Sequence, residues 1–203
     1  LLFPKESTKS EKNKLGITEN DFVFIFIGRL VNDKGINELI HSFSQLSKKH
    51  SAIKLILVGS HEGETDVLPN STWDLLNSEE NIIWVGQQDD IRPYLSMANA
   101  LVFPSYREGF PNVVLEAGAM GLPALVTDIN GSNEIIVHGK NGYIVPSKDE
   151  QALLEAMTLF VEDSRLVSNM AQLARPMIAN RYEQNFVWES LLNEYKRIEH
   201  KDS

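Results

Sequence analysis

Two acids, Glu108 and Glu116, bracket the run Gly109-Phe110-Pro111-Asn112-Val113-Val114-Leu115. The segment follows an apolar stretch, Ala100-Leu101-Val102-Phe103, closed by Pro104-Ser105. It reads as strand, then loop, then helix start. Gly109 lets a ligand approach the backbone, and Pro111 fits the first turn of a helix. Free N–H groups at that helix start favour an anion such as a phosphate. A carboxylate accepts hydrogen bonds from paired hydroxyls, which sugars and riboses offer. Amides for phosphate between two acids for hydroxyls suggest a site for a nucleotide sugar. The plainer reading of the same residues is a helix start with Pro at N1 and an acidic first turn.

Two cations, Arg29 and Lys34, flank a turn just past the apolar run Phe22 to Ile27. Facing a helix N-terminus, such a pair clamps a diphosphate, with Arg able to take two oxygens at once. It also stabilises negative charge building on a departing phosphate. On their own, Arg29 and Lys34 read as solvated surface cations. The loop Gly86 to Ile91 offers backbone groups to a flat base but holds no aromatic, so stacking needs Pro93, Tyr94 or a neighbouring loop. His41, His61 and His138 lack metal-like spacing and read as structural or solvent-facing, His61 without a partner.

Other chemistries fail. There is no Gly-Lys-Ser/Thr triplet, no Gly-x-Gly-x-x-Gly after the first strand and no Gly-x-Ser-x-Gly elbow. The chain has no cysteine, which removes thiolate chemistry and fits a reducing compartment. A net charge of −9 argues against general nucleic-acid binding. No apolar run approaches the ~18 residues that span a bilayer. The opening Leu1-Leu2-Phe3 lacks a Met, and the chain is expected to be part of a longer one.

The elements that must position these residues follow from periodicity. Continuous apolar runs at Phe22–Ile27, Ile53–Val58, Ile82–Val85, Ala100–Phe103, Ala124–Thr127 and Tyr143–Val145 predict strands covered on both faces. Helices are expected at Gly35–Lys49, Thr72–Leu76, Ile91–Met97 (capped by Asp89 or Asp90) and Asn112–Met120. Ser132 or Asn133 is the expected cap of a further helix. From Asp149 the chain is helical, with one helix ending near Ile178. Residues Glu6 to Leu15 read as a linker or solvated helix. Alternation at this spacing implies a Rossmann-like, doubly wound parallel α/β sheet of about six strands, with C-terminal helices. The expected organisation is a linker or domain start over 1–21 and one binding domain over 22–203. Ligands of such sheets bind at the carboxyl ends of the strands.

Taken in order, the segments resemble the carboxyl-terminal half of a retaining glycosyltransferase of family four, with GT-B architecture. Phe26-Ile27-Gly28-Arg29-Leu30 through Lys34-Gly35 is similar to that family's first-strand signature. Val85-Gly86 and Asp90-Ile91 with Tyr94-Leu95 resemble its base-binding loop and helix. Pro104-Ser105 through Glu116-Ala117 resembles its Glu-x7-Glu motif. Gly121-Leu122-Pro123, Gly131 with Glu134, and Asn141-Gly142 continue the match, from Phe22 to the end. Asn130, His61 and Met120 depart from the family's usual residues, the first two in site-facing loops.

The resemblance implies a catalytic set of Glu108, Arg29 and Lys34. Arg29 and Lys34 would hold the distal phosphate, Glu116 the ribose, and Glu108 would face the donor sugar. Amides around Gly109, Phe110, Asn112 and Val113 would bind sugar hydroxyls and phosphate. Gly28 and Pro111 would complete that lining, and Gly86 and Ile91 would line the base. It implies a UDP-sugar donor by default, and neither metal nor other cofactor. It implies a glycan or lipid-linked acceptor held by an amino-terminal domain outside this chain, so that the isolated domain would not catalyse. It places the protein in the cytoplasm, with peripheral association at the inner face of the membrane. Two alternatives stay open: a non-catalytic nucleotide-sugar binding module, and a sugar epimerase or synthase on the same fold.

Overall fold

The structure, a computed structural model, describes residues 9–61 and 66–199, without the side chains of 184–187 and 199. In chain order the elements are α1 (Lys9–Lys14), β1 (Phe22–Ile27), α2 (Ile36–Ser47), β2 (Ile53–Val58), α3 (Asn70–Ser78), β3 (Ile82–Trp84), α4 (Arg92–Leu95) and β4 (Ala100–Phe103). They continue as α5 (Asn112–Ala119), β5 (Ala124–Thr127), α6 (Ser132–Ile135), β6 (Gly142–Val145), α7 (Glu150–Glu162), α8 (Ser164–Tyr182) and α9 (Gln184–Glu199).

The six strands form one sheet in the order β3-β2-β1-β4-β5-β6, with every neighbouring pair parallel. The expected doubly wound sheet is therefore present, and all its carboxyl ends share one edge. The winding reverses between β1 and β4, whose pairing is Phe24 with Ala100 and Ile25 with Leu101. That crevice is where such sheets take their ligands.

The central strands β1, β2, β4 and β5 are buried on both faces: Phe24, Ile25 and Phe26 are 0% exposed, as are Leu101 and Val102. The edge strands depart from that expectation, since each has a neighbour on one side only: Trp84 of β3 is 41% exposed, and Tyr143 and Ile144 of β6 are partly exposed. On α2, Ile36, Leu39, Ile40, Phe43 and Leu46 form one buried stripe. Gly35 precedes it with φ +69°, and a Cβ there would lie 2.1 Å from Pro104 O. Only glycine allows this approach, which brings the loop after β1 against the end of β4.

Several boundaries differ from expectation. Residues Lys9–Lys14 form a solvated helix with no buried residue, and Ile17 then reaches the core. Helix α3 is longer than expected and α4 shorter. Asp90 caps α4 from two positions before it, Oδ1 accepting the Arg92 N–H at 3.0 Å. Pro111 is not at N1: it stands just before α5, with φ −78° and ψ 100°. Neither Ser132 nor Asn133 caps α6. Gly131 does, at φ +81°, a conformation closed to both larger residues, and its N–H donates to Glu134 Oε1 at 3.4 Å. Asp149 caps α7 as expected, accepting from Ala152 N at 2.9 Å. Helix α8 runs past Ile178 to Tyr182, where Arg181 and Tyr182 both donate to Glu134 O.

Candidate active site

The site is built at the carboxyl edge where β1 and β4 adjoin. After β1 the chain makes a short 3-10 turn, Asn32–Lys34, which carries Lys34 toward the loop after β4. Lys34 Nζ there meets Glu108 Oε1 at 2.5 Å, both side chains being mostly buried. Ser105 Oγ donates to the same oxygen at 2.8 Å. The two loops are also joined through the backbone, Tyr106 N donating to Asp33 O at 2.8 Å. Arg107 adds a 3.3 Å ion pair to Asp33 Oδ2 at the surface.

Tyr106 seals the flank. Its hydroxyl lies 2.6 and 2.7 Å from the two oxygens of Glu38 on α2, and Lys148 Nζ sits 4.8 Å above its ring. Burial, then the bond to Glu38, pushes the phenol above its ordinary range.

The first helical turn beyond the loop is open. The N–H groups of Gly109, Phe110, Asn112 and Val113 have no acceptor among the described residues. Those of Asn112 and Val113 form the positive end of the α5 dipole. No atom would crowd a Cβ on Gly109, so the space beside it is clear. The side chain of Glu116, on the second turn, makes no hydrogen bond or ion pair among the described residues. It is half-buried, and desolvation raises its carboxyl above the usual range. An unpaired half-buried carboxylate is unfavourable unless something donates to it.

The loop after β5 closes against this turn. A Cβ on Gly131 would lie 2.7 Å from Gly109 O and 2.9 Å from Pro111 Cδ. Behind it, Phe110 and Tyr182 stack obliquely at 5.6 Å.

Of the residues singled out from sequence, the structure brings Lys34 and Glu108 into contact. It sets Gly109 to Val113 and Glu116 on the following turns, and leaves Arg29 exposed on the loop after β1. Gly28 continues the ladder, its N–H donating to Val58 O, and Gly86 O accepts from Gly59 N, both at 2.9 Å. Ile91 is half-buried against the core. Pro93 and Tyr94 line a groove of about 370 Å³ with Glu11 and Lys14 of α1. An exposed aromatic near the Gly86 loop is Trp84, whose indole N–H donates to Gly59 O at 2.9 Å. His61 does have partners: its ring meets Trp73 edge-on at 4.5 Å, and Nδ1 lies 3.3 Å from Leu30 O. Among the described residues, no group of three His, Asp or Glu is arranged to hold a metal. Sequence reasoning passed over Ser105, Tyr106 and Thr127. Ser105 was visible as a small polar residue at a strand end, where a hydroxyl meets free backbone.

Residues 7–177 match the family described as glycosyl transferases group 1. The chain belongs to that family. Its relatives include the capsular polysaccharide biosynthesis glycosyltransferase CapM of Staphylococcus aureus, 31% identical over 95% of this chain and 50% of CapM. The N,N'-diacetylbacillosaminyl-diphospho-undecaprenol alpha-1,3-N-acetylgalactosaminyltransferase of Campylobacter jejuni is 32% identical over 95% of this chain and 50% of its own length. This group 1 domain thus spans about half the length of these curated relatives. Among solved structures, Anabaena HepE in complex with UDP superposes with a TM-score of 0.84 at 21% identity, covering 95% of this chain and 54% of HepE. The C-terminal domain of the group 1 protein LpcC from Francisella tularensis gives 0.76 at 23%, covering 90% of this chain and 96% of that one. The fold is that of one Rossmann-like half of a GT-B glycosyltransferase.

Proposed function

We propose that the full-length protein moves a sugar from a nucleoside-diphosphate sugar, a UDP-sugar by default, to a glycan or lipid-linked acceptor with retention of configuration. The observation that carries this reading is the Lys34–Glu108 contact at the β1/β4 crevice, beside the open amides of α5 and the unpartnered Glu116. An ammonium has three N–H groups, and Glu108 takes one, leaving two for phosphate oxygens. Arg29 supplies a planar fork to the same diphosphate. Together they offset the charge that builds on the departing nucleotide. Neither a metal nor another cofactor enters this proposal, because the cations do that work. The α5 amides take phosphate and sugar oxygens, Glu116 the ribose hydroxyls, and the Gly86–Ile91 loop the base. Glu108 faces the transferred sugar.

The relatives' names support the choice of class. CapM is named for capsular polysaccharide biosynthesis, and the Campylobacter protein for a diphospho-undecaprenol acceptor. HepE structures hold UDP and UDP-glucose. Acceptor binding is assigned to an amino-terminal half, so this domain alone binds donor without completing transfer. The same reading puts the protein in the cytoplasm, at the inner membrane face when its acceptor is lipid-linked.

The test is incubation of the full-length protein with UDP-, GDP- and ADP-sugars and a diphospho-undecaprenol-linked sugar, with the product's anomeric linkage read by NMR. An α-linked product from an α-linked donor supports the reading, and a β-linked product contradicts retention. Donor binding without transfer to any acceptor favours the non-catalytic module. A new sugar nucleotide formed without acceptor favours an epimerase.

A further inference from the structure

Ser105 sits where the loops after β1 and β4 meet the end of β5, fully buried at 0% exposure. Its hydroxyl lies 2.8 Å from Glu108 Oε1, 3.2 Å from Arg107 O and 3.3 Å from Asp33 O. A hydroxyl carries one proton. Of the three acceptors the carboxylate oxygen is both nearest and charged, so the proton is donated there. Ser105 is itself held from the opposite side, its carbonyl accepting from the Thr127 hydroxyl at the end of β5. Glu108 Oε1 therefore takes both Ser105 and Lys34, while Oε2 has no partner among the described residues.

We infer that Ser105 is a positioning residue, whose buried hydroxyl pins Oε1 of Glu108 so that Oε2 is presented to hydroxyls of the donor's sugar. The inference rests on the donor-site reading above. The terminal torsion of a glutamate is broad, so one ammonium partner leaves the carboxylate free to rotate, and a second partner stops it. Losing the hydroxyl would not release the phosphate side of the site. The turn bearing Lys34 stays tied, because Tyr106 N still donates to Asp33 O. Ser105 therefore acts on the sugar and not on the nucleotide.

The test is calorimetry of the full-length protein with UDP-glucose, GDP-mannose and ADP-glucose, and with UDP, GDP and ADP. The quantity read is the ratio of sugar-nucleotide affinity to nucleotide affinity. In Ser105→Ala this ratio falls about tenfold, with nucleotide affinity kept within about twofold. Ser105→Thr, which keeps the hydroxyl, restores the ratio. In a Glu108→Gln background, Ser105→Ala has no further effect on it. This double-variant comparison decides the matter even where the extra methyl of threonine is not accommodated. An unchanged ratio in Ser105→Ala overturns the inference. So does an equal loss for sugar nucleotide and nucleotide, which is what a merely structural role would give. A wild-type protein that binds none of the six fails earlier, and overturns the donor-site reading together with the inference.

Discussion

Lys34 Nζ and Glu108 Oε1 lie 2.5 Å apart across 74 residues of sequence, joining the loops that follow β1 and β4. Their side chains are only 17% and 16% exposed. A pair this sheltered gains little net stability, because desolvation offsets attraction, yet removing one member strands a charge. The contact therefore contributes little to holding the fold together as long as both members are present.

Lys34→Ala removes a cation from the proposed diphosphate site and leaves Glu108 without its counter-charge. Steady-state transfer by the full-length protein is expected to fall about a hundredfold to a thousandfold in kcat/KM. Activity within a factor of two of wild type would remove Lys34 from the mechanism.

Glu116 gives a pH signature. Burial raises its carboxyl, and the ionised form is the one that accepts ribose hydroxyls. Nucleotide affinity measured by calorimetry thus declines as pH falls through that raised value, earlier than for an ordinary glutamate, and Glu116→Gln lacks this decline. Stability runs the other way. A folded pKa above the unfolded one means that folding is penalised at higher pH and relieved as pH falls through the raised value. Glu116→Gln therefore melts no lower than wild type at about pH 8, while binding nucleotide about tenfold more weakly.

Gly131→Ala tests the packing behind the acidic loop. The residue stands at φ +81°, and the new methyl would press on Gly109 O at 2.7 Å. A loss of about 1–3 kcal/mol in stability is expected by denaturant titration. Donor affinity falls with it, because the displaced backbone is the one that offers the Gly109 and Phe110 amides.

Tyr106→Phe marks the boundary of the site. The phenol bonds Glu38 of α2, which is not among the proposed donor groups. The expected outcome is a loss of about 1–2 kcal/mol in stability with transfer nearly unchanged. A large fall in kcat would bring Glu38 and Tyr106 into the catalytic machinery.

The sheet was legible because strands buried on both faces must be apolar throughout, and Phe22–Ile27 or Ala100–Phe103 admit little else. The placing of Lys34 and Glu108 on one edge followed from parallel winding. Their direct contact did not, because it depends on the close approach of Gly35 to Pro104 O, which no periodicity encodes. Caps were read less well. Pro111 and Gly131 each stand one position before the helix they start, and that offset is decided by tertiary packing of one loop on another. Ser105 was passed over because its place at a strand end shows a small polar residue but not the atoms its buried hydroxyl meets. Its value lies in which atoms meet it.

The most direct measurement is a crystal structure of the full-length protein with its sugar nucleotide bound. The account predicts the distal phosphate within hydrogen-bonding reach of Lys34 Nζ and Arg29, the ribose hydroxyls on Glu116, and a sugar hydroxyl on Glu108 Oε2. A diphosphate bound away from the β1/β4 crevice, with Lys34 and Glu108 touching no donor atom, would contradict it.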